Sequence, residues 1–426
     1  MKIVYLHQYF NTPEMTGSTR SYEMARRLVN WGHEVHIVTT WREEYEQTSS
    51  DWYESIEDGI HVHWLPLPYS NHLSYSQRIK AFLKFAYASA KRAAGISADV
   101  IFATSTPLTI ALPGVYAARK QRVPMIFEVR DLWPELPIAM GALNNPVLRK
   151  LAYLLERWAY RHASAVVALS PGMKEGVVNA GYPQNQVAVI PNSSDIELFQ
   201  TSQEDAQNFR QAREWLQNRP LLIYAGTLGK INGVDYLVKL ASQLEHIAPE
   251  VRILIVGDGA ERANILELAQ SLGVLNKNLF LEPKIPKKEI PTLFSAADMI
   301  SSLFIDEPAM RANSANKFFD ALAAGRPVMI NYAGWQNELI KDFQCGVNLW
   351  GMSASSAAEV VAEHIQDKRW VQSAGIASRE LAIKYFDREV LAKQLEQVFI
   401  SVVEQGDTDI SQYGSGIYKQ QEIDCA

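Results

Sequence analysis

The sequence is poor in cysteine and has no long apolar run. Its only cysteines are Cys345 and Cys425, whose spacing suits neither a metal site nor a disulfide framework and favours a reducing compartment. No stretch approaches the ~18 apolar residues that would span a bilayer. The opening MKIVYLHQYF is too short and too polar for a signal peptide and is interpreted as a first strand. We expect a cytoplasmic protein that can make peripheral contact with the inner face of the plasma membrane.

A strong charge of one sign is also absent. The formal net charge of −6 gives no reason to expect a nucleic-acid partner. Basic side chains are in slight excess in residues 1–192, whereas acidic ones are in clear excess in the remainder, so an anionic surface could be favoured by the first part only. The length of 426 residues predicts two to three domains of ~150 residues each.

Short apolar runs alternate with helical patterns along the chain. The runs are KIVYLH, EVHIVTT, VIFAT, MIFEV and AVVALS before residue 192, and LLIYAG, RILIVGDG, LFLEP, MISSLF and PVMINY after it. Continuous apolar strands indicate parallel sheets that are covered on both faces. The predicted fold class is therefore α/β, with two Rossmann-like doubly wound parallel-sheet domains that face each other across a cleft.

The segment VIPNSSDIELF interrupts both patterns and predicts a linker between the domains. We accordingly predict a first domain over residues 1–192 and a second over 193–385. A further connection near KYFDREV leads to a final helix over 386–405, which is expected to cross back and pack on the first domain. Residues 406–426 lack an apolar period and are predicted to form a flexible tail.

Ligands of open α/β sheets bind at the carboxyl ends of the strands, so the loops at this edge are the first candidates. The loop NTPEMTGSTR places Gly17 and Ser18 before a helix whose N-terminus suits a phosphate. The alternative is a simple turn in which Ser18 or Thr19 is the N-cap.

Two later loops carry glycines in the same position. TLGKINGVDYLVKL, after LLIYAG, holds Gly229 and Lys230, which could cradle a pyrophosphate or form a plain turn with a solvated lysine. VGDGAERANIL holds Gly257 and Gly259 in a tight strand-to-helix turn. Because the third glycine and the later acidic residue of the dinucleotide fingerprint are missing, a nicotinamide-dependent oxidoreductase is disfavoured.

Six motifs in this order and spacing resemble the retaining nucleotide-sugar glycosyltransferases of family 4. They are GHEVHIVTT, VIPNSSDIELF, YAGTLGKINGVDYLV, LIVGDGAE, IPTLFSAADMISSLF and FFDALAAGRPVMI. The resemblance implies a GT-B fold and a nucleoside diphosphate sugar, most often a UDP-sugar, bound by the second domain. It also implies an acceptor bound by the first domain, with no metal and no further cofactor.

A narrower resemblance concerns the variants GSTRSYEMARRL, EVRDLWPELPIAMG and NKFFDALAAG. They are similar to bacterial enzymes that build O-antigen, capsule or exopolysaccharide repeat units, including transferases of N-acetyl-fucosamine. This implies a polyprenyl-diphosphate-linked saccharide as the acceptor and an N-acetylated amino or deoxyamino sugar as the group transferred.

The family pattern gives roles to residues around the Ala-Ala-Gly turn. Asp320 takes the position of a carboxylate that accepts hydrogen bonds from the ribose hydroxyls. Lys317 lies one helical turn earlier and can reach the diphosphate. Ile285 lies where the base is contacted, mainly through the backbone. The alternative for Lys317 and Asp320 is an intrahelical ion pair of little energetic consequence.

This chain departs from the family pattern at several positions. The first of the two glutamates usual in the family falls on Ala312, so that Asn313 or Ser314 is expected to contact the sugar instead. The cations usual in the phosphate loop are replaced by Thr227 and about Asn232. Lys230 and Lys317 are then the remaining cations for the diphosphate.

Arg130 replaces a histidine of the family pattern and is followed by Asp131. No nucleophile for a double displacement is obvious, so the resemblance implies attack from the leaving-group face, with the departing phosphate accepting the proton of the acceptor. Asp131 could then orient a hydroxyl of the acceptor or sugar, and Arg130 could hold a phosphate or an acceptor anion. A structural salt bridge between the two residues is the alternative.

The acceptor side is predicted from a basic helical segment over residues 75–95. It places Arg78, Lys80 and Lys84 among aromatic and aliphatic residues, and residues 148–164 repeat that mixture. Basic amphipathic helices can lie on an anionic membrane. Such helices can also pack their apolar stripe into the core and leave their charges in water.

Two other functions remain open at this point. A UDP-sugar 2-epimerase also has two Rossmann-like domains and would release an epimerised nucleotide sugar without an acceptor. A non-catalytic subunit would bind the nucleotide without turnover, and the missing glutamate and histidine make this second alternative reasonable.

Overall fold

The computed structural model describes residues 1–15, 17–41, 51–67, 75–405, 409–414 and 416–417. Within these residues the chain forms two parallel-sheet α/β domains that are joined by a linker after Val189. The predicted fold class is confirmed.

The first domain is built on an eight-stranded sheet with the order β3-β4-β2-β1-β5-β6-β7-β8. All neighbouring strands are parallel except β3 and β4, which form an antiparallel pair. The strands are β1 (Lys2–Leu6), β2 (Glu34–Trp41), β3 (Tyr53–Glu57), β4 (Ile60–Pro66), β5 (Val100–Thr104), β6 (Met125–Val129), β7 (Ala165–Ala168) and β8 (Val187–Val189). Most of these strands are buried along their whole length, as the continuous apolar runs predict.

Helices cover both faces of this sheet. They are α1 (Arg20–Asn30), α2 (Tyr75–Ala94), α3 (Ala111–Gln121), α4 (Glu135–Ala139), α5 (Pro146–Arg161) and α6 (Pro171–Asn179). Side chains of α2, α3, α5 and α6 share one core with one face of the sheet, whereas α1 packs on the opposite face. Asn145 caps α5 by accepting hydrogen bonds from the amides of Val147 and Leu148, and Pro146 occupies its first turn.

The second domain has a six-stranded parallel sheet with the order β11-β10-β9-β12-β13-β14. Its strands are β9 (Leu221–Ala225), β10 (Arg252–Val256), β11 (Leu279–Glu282), β12 (Met299–Ser302), β13 (Val328–Ile330) and β14 (Gly346–Asn348). Its helices are α7 (Gln203–Gln211), α8 (Asp235–Ile247), α9 (Arg262–Ser271), α10 (Ile290–Ser295), α11 (Asn316–Ala323), α12 (Trp335–Phe343), α13 (Ala354–Gln366) and α14 (Lys368–Tyr385). Apolar side chains pack against both faces of this sheet in two separate cores.

The last helix, α15 (Arg388–Ile400), lies against the first domain. Leu391, Leu395 and Phe399 join the core beneath α1, and the ring of Phe399 lies 5.1 Å from that of Phe102. The crossover therefore connects the two domains a second time, in addition to the linker.

The prediction of a flexible tail from residue 406 needs correction where the structure describes that segment. Ile410 and Ile417 are buried, and Gly414 pairs with Val189 at the end of β8. Two isolated apolar side chains are enough to attach this segment to cores that already exist, although they show no period of their own. Residues 406–408, 415 and 418–426, and with them Cys425, lie outside the described residues.

Candidate functional site

A cleft of about 730 Å³ lies between the two domains, at the carboxyl ends of the strands. Its walls are the loop after β1, the loops after β9 and β10, the segment between β11 and α10, and the start of α11. The side chains that line the cleft include Ser18, Lys287, Asn316, Lys317 and Asp320.

Glycines bring the backbone close together around this cleft. Gly17 has φ of +132°, and a Cβ there would lie 2.6 Å from Nδ2 of Asn11, which itself donates to the carbonyl of Ser18. A Cβ on Gly257 would lie 2.0 Å from the carbonyl oxygen of Gly226. Glycine is therefore required at both places, because a side chain would force the loops apart.

Lys317 lies in the first turn of α11 and has an aromatic environment. Its Nζ donates to the hydroxyl of Tyr224 over 3.0 Å and lies 4.5 Å from the centre of that ring and 5.8 Å from that of Phe304. Burial lowers the pKa of Lys317 to about 7. Among the residues that the structure describes, no carboxylate pairs with Lys317. Its charge is thus available to an anion in the cleft.

Asp320, one turn further along α11, is buried and has other partners. Its Oδ1 accepts a hydrogen bond from the hydroxyl of Ser194 in the linker, and its Oδ2 pairs with the ammonium group of Lys287. The intrahelical ion pair with Lys317, the alternative considered above, does not form. Each of the two side chains has its own partner instead, Tyr224 for Lys317 and Lys287 for Asp320.

Lys287 was missed by the sequence analysis. The lysine pair in PKIPKKEI could have pointed to it, because this segment follows β11 at the same edge of the sheet. Lys287 lines the cleft together with Ile285, the residue predicted to contact the base.

Ser18 connects the two domains inside the cleft. Its Oγ accepts one hydrogen bond from Nη2 of Arg130 and another from Nδ2 of Asn316, each over 3.1 Å. Nη1 of Arg130 lies 3.1 Å from Nε2 of His7 at the end of β1. The loop predicted to meet a phosphate is therefore held by one residue from each domain.

Asp131 is adjacent to Arg130 in sequence but does not pair with it in the described structure. Its Oδ2 accepts a hydrogen bond from the hydroxyl of Thr106 over 2.9 Å. Burial raises the pKa of Asp131, and the hydroxyl of Thr106 and the charge of Arg130 oppose this only in part. The structural salt bridge considered as an alternative is therefore not present.

A buried ion pair between Arg20 and Glu128 lies next to the loop that carries Ser18. Nε and Nη2 of Arg20 donate to Oε1 of Glu128 over 3.0 and 2.9 Å, and the same guanidinium group donates to the carbonyls of Ile190 and Pro191 in the linker. Arg20 begins α1, two residues after Ser18. This pair was also missed, since its members lie far apart in the sequence.

Six of the residues predicted for catalysis or donor binding are not among the residues that line the described cleft: Arg130, Asp131, Gly229, Lys230, Asn313 and Ser314. Gly229 and Lys230 lie in a 3-10 turn, where Lys230 points into solvent. Asn313 and Ser314 are buried: the amide of Asn313 donates to the carbonyl of Met310, and Oγ of Ser314 accepts from the backbone amide of Asn192. Their hydrogen bonds hold backbone segments together instead of facing the cleft, which corrects the expected contact with the sugar.

At Ala312, the position where the family pattern has a glutamate, the two domains are in contact. The carbonyl of Ala312 accepts a hydrogen bond from Oγ of Ser170 over 2.6 Å. A Cβ on Gly172 would lie 2.9 Å from Cβ of Ala312, so there is little space for a longer side chain. Ser170 is also the N-cap of α6.

Neither a metal-ion site nor a membrane-spanning helix is present among the described residues. No group of histidine, cysteine, aspartate or glutamate side chains there could hold a metal ion. No helix in the same part of the chain is long and apolar enough to cross a membrane.

Comparisons with known proteins match both domains. A family model described as "Glycosyl transferase 4-like domain" matches residues 16–193, and one described as "Glycosyl transferases group 1" matches residues 205–380. The chain is 24% identical to the Escherichia coli (strain K12) protein named "Putative colanic acid biosynthesis glycosyl transferase WcaI", over 67% of this chain and 73% of that one.

Two further proteins are similar to this chain. The chain is 23% identical to a GDP-mannose-dependent alpha-(1-6)-phosphatidylinositol monomannoside mannosyltransferase of Mycolicibacterium smegmatis, over 67% of this chain and 71% of that one. The crystal structure of Anabaena HepE in complex with UDP and glucose is similar with a TM-score of 0.70 and 21% identity, and the match covers 94% of this chain and 100% of that one.

Proposed function

The chain belongs to the GT-B glycosyltransferases of the family 4 type, and we propose that it transfers a sugar from a UDP-sugar to a lipid-linked saccharide with retention of configuration. The sugar would be an N-acetylated amino or deoxyamino sugar, and the product an intermediate of O-antigen, capsule or a related surface polysaccharide. The observation that carries the proposal is Lys317, a cation in the interdomain cleft whose described partners are a hydroxyl and two aromatic rings.

The donor fits the cleft by charge and by shape. A diphosphate would compensate the charge of Lys317 and would also meet the free amides at the start of α11, where the helix dipole is positive. Gly226 and Gly257 leave room for an extended anion beside them. Asp320 could accept hydrogen bonds from a ribose diol while its carboxylate stays paired with Lys287.

The chemical step needs a stabilised leaving group and a positioned acceptor. Lys317 and the loop amides would stabilise the charge that develops on the departing diphosphate, so the proposal requires no metal. The phosphate oxygen freed by cleavage of the glycosidic bond would take the proton of the attacking hydroxyl. Asp131, held by Thr106, would orient that hydroxyl, and Arg130 would hold an anionic part of the acceptor or donor.

The similar proteins support a nucleoside diphosphate sugar as the donor, but they differ in its base. HepE was solved with UDP, and the Mycolicibacterium enzyme is named for GDP-mannose, so uridine and guanosine are the two bases to compare first. The same Mycolicibacterium enzyme is named for a phosphatidylinositol glycolipid, and WcaI for colanic acid biosynthesis. Both support a surface-glycan acceptor, and a lipid-linked acceptor would bring the reaction to a membrane surface.

The test is thermal stabilisation by UDP, GDP, ADP and CMP. At ~100 times its dissociation constant, the correct nucleotide should add roughly 2.7 kcal/mol to the free energy of unfolding. We expect Lys317→Ala and Asp320→Ala to lose this response, and Lys230→Ala, an exposed lysine of the neighbouring turn, to keep it. If no nucleoside diphosphate stabilises the wild type, or if Lys317→Ala responds like the wild type, the donor site is wrongly assigned.

A non-catalytic nucleotide-sugar-binding subunit is the second candidate. The observation in its favour is the close packing of Ala312 against Gly172. It leaves little space for a glutamate side chain at the position where the family has one. Such a protein would pass the nucleotide test but would transfer no sugar to any membrane-lipid extract. A UDP-sugar 2-epimerase would instead release an epimerised nucleotide sugar without an acceptor, which chromatography of the reaction would detect.

A further inference from the structure

A second cavity lies in the second domain, away from the cleft between the domains. Its volume is about 680 Å³, close to that of the cleft, and the two share no lining residue. Pro220, Asp298 and Arg326 line it, and these residues come just before β9, β12 and β13. Because these strands are parallel, their amino ends lie together at the edge of the sheet opposite the cleft. The cavity is therefore separate from the candidate donor site.

The ends of α11 and α13 and one side of α14 form the other walls of this cavity. Gly325 follows α11 with φ of +63°, and a Cβ on Gly375 of α14 would lie 2.5 Å from the carbonyl oxygen of Gly325. A side chain at Gly375 would push α14 away from this turn, so glycine is required there. The close contact fixes the backbone that carries Arg326, one residue after Gly325, and Arg379, one turn after Gly375.

The charged side chains of the cavity are mainly cations. Arg326, Lys368 and Arg379 line it, and Asp298 is the only carboxylate among its described lining residues. Asp298 already has a partner, because its Oδ2 accepts a hydrogen bond from Nη2 of Arg210 over 2.7 Å. Within the described parts of the chain, no ion pair joins any of the three cations to a carboxylate. Their mutual repulsion would be relieved by a bound anion.

The two arginines are held in place but keep unused donors. Nη2 of Arg326 donates to the carbonyl of Ser295, and Nη1 of Arg379 donates to that of Ala323. This capping of helix ends uses one N–H of each guanidinium group, which has five. Nε of Arg326 is buried without a hydrogen-bond partner in the described structure. Burial lowers the pKa of both arginines, because carboxylates compensate their charge only in part. Both groups are thus positioned for contact with a phosphate.

The neutral part of the lining suits hydroxyl groups. It has amide or hydroxyl side chains at Gln200, Thr201, Asn218, Gln366 and Gln372. An amide side chain both donates and accepts hydrogen bonds, as a sugar hydroxyl does. Val371 and Ile376 of α14 add an apolar surface against which the C–H face of a sugar ring could pack. The volume is in the range of small-molecule sites. A small ligand with one phosphate group and several hydroxyl groups fits this combination better than a cationic or fully apolar one.

We propose that this cavity binds a sugar phosphate. The phosphate group contacts Arg326 and Arg379, the exposed Lys368 completes its binding at the rim, and the amide side chains bind the hydroxyl groups of the sugar. Lys317 and Asp320 lie in the cleft at the other end of α11. The chain therefore has two separate anion sites in its second domain, and this one does not depend on the proposed function.

Calorimetric titration of the full chain with glucose 6-phosphate tests the site without any need for activity. This probe carries its phosphate away from the anomeric carbon and so does not mimic the donor. We expect it to bind, inorganic phosphate to bind more weakly and methyl glucoside not to bind. Arg326→Gln and Lys368→Glu should each weaken binding by at least ~10-fold, because each removes a charged contact. Lys384→Glu, at an exposed position of α14 outside the cavity, should leave it unchanged.

Lys368→Glu keeps the test decisive if Arg326→Gln does not fold, because Lys368 is exposed at the first position of α14, where glutamate is favourable. No binding by the wild type, or unweakened binding by Lys368→Glu, would overturn the proposal. Binding that is lost in Lys317→Ala but kept in Arg326→Gln would assign the phosphate to the cleft instead. Equal affinity for inorganic phosphate would refute the sugar as part of the ligand. Thermal stabilisation by UDP, measured on the same variants, reports on the donor site separately, since the two sites share no lining residue.

Discussion

Lys317 is a cation that the described protein surrounds with two aromatic rings and one hydroxyl. Desolvation favours its neutral form, so its pKa falls from the ordinary value of 10.5 to about 7. A bound diphosphate would reverse this effect, because it stabilises the charged form. The residue is thus prepared for an anion in a way that a surface lysine is not.

Nucleotide binding should therefore take up a proton. At pH ~8 most of the free protein has a neutral Lys317, and the bound anion should raise the pKa of Lys317, so that uptake approaches one proton per site. Affinity should accordingly fall as the pH rises above about 7. Calorimetry in buffers of different ionisation enthalpy measures the uptake. Lys317→Arg should bind without it, since arginine stays protonated. Uptake of the same size in Lys317→Arg would mean that another group takes the proton.

Lys287 and Asp320 form a pair whose members differ in exposure, because the carboxylate is buried and the lysine is partly open to the cleft. Among the described residues, Lys287→Ala leaves the carboxylate of Asp320 with the hydroxyl of Ser194 as its remaining side-chain partner, which should lower the free energy of unfolding by about 1–3 kcal/mol. Lys288→Ala is the matched control, because Lys288 and its partner Glu14 are both exposed and their pair contributes little to stability. Urea denaturation compares the two variants. A similar decrease in both would show that the burial of Asp320 has no influence on the pair.

At the scale of elements, strands β2 and β4 bring three histidines together. The rings of His36 and His61 lie 4.7 Å apart, and Nδ1 of His36 lies 3.0 Å from Nε2 of His63. Burial lowers the pKa of His36 and lowers that of His63 to about 4. The charged groups that face this cluster are Lys2 and Glu34 beside His36, and Arg92 of α2 and Glu54 of β3 beside His63.

This arrangement predicts acid sensitivity of the first domain. Because His63 binds a proton more weakly in the folded state than its ordinary pKa of 6.5 implies, the unfolded state binds more protons as the pH falls from 6.5 toward about 4. The free energy of unfolding should decrease by up to about 3 kcal/mol over that window. His63→Gln should flatten the dependence, and His246→Gln, at an exposed position, should not. Parallel pH profiles for the wild type and His63→Gln would refute the assignment.

At the scale of the whole molecule, charged groups fasten the linker to the returning helix. Asp195 of the linker pairs with Arg27 of α1 and with Arg388 at the start of α15, while Glu389 also pairs with Arg27. Burial alone would raise the pKa of Asp195, but the guanidinium groups of Arg388 and Arg27 hold it below its ordinary value. The carboxylate of Asp195 therefore joins the linker to α15, which is the second connection between the domains.

Asp195→Ala should destabilise the whole chain strongly. It leaves two nearly buried guanidinium groups without their shared partner, and loss of one member of a buried ion pair lowers stability by about 3–5 kcal/mol. Asp235→Ala removes one member of an exposed pair with Lys239 and should change stability by no more than about 0.5 kcal/mol. Guanidinium denaturation measures both. If the two variants were equally stable, Asp195 would not be the point that fastens the domains.

The sequence could predict the kind and order of the elements because that information is local. Runs such as VIFAT and LLIYAG read as strands buried on both faces, and β5 and β9 have that burial. Glycines at strand ends located the edge of the sheets where the cleft opens, since a tight turn needs them regardless of the rest of the fold. The family 4 resemblance rests on motifs of the same local kind. The narrower resemblance to N-acetyl-fucosamine transferases stays a prediction.

Partners could not be predicted in this way, because they come from segments far apart in the chain. Lys317 and Asp320 share one helix, and the sequence allowed either a mutual ion pair or separate partners. Only the tertiary structure decided between them, by placing Tyr224 next to one side chain and Lys287 and Ser194 next to the other. A hydrogen bond or ion pair depends on distances of a few ångströms. Such distances exist only after the second domain has folded and the linker, which carries Ser194, lies against it.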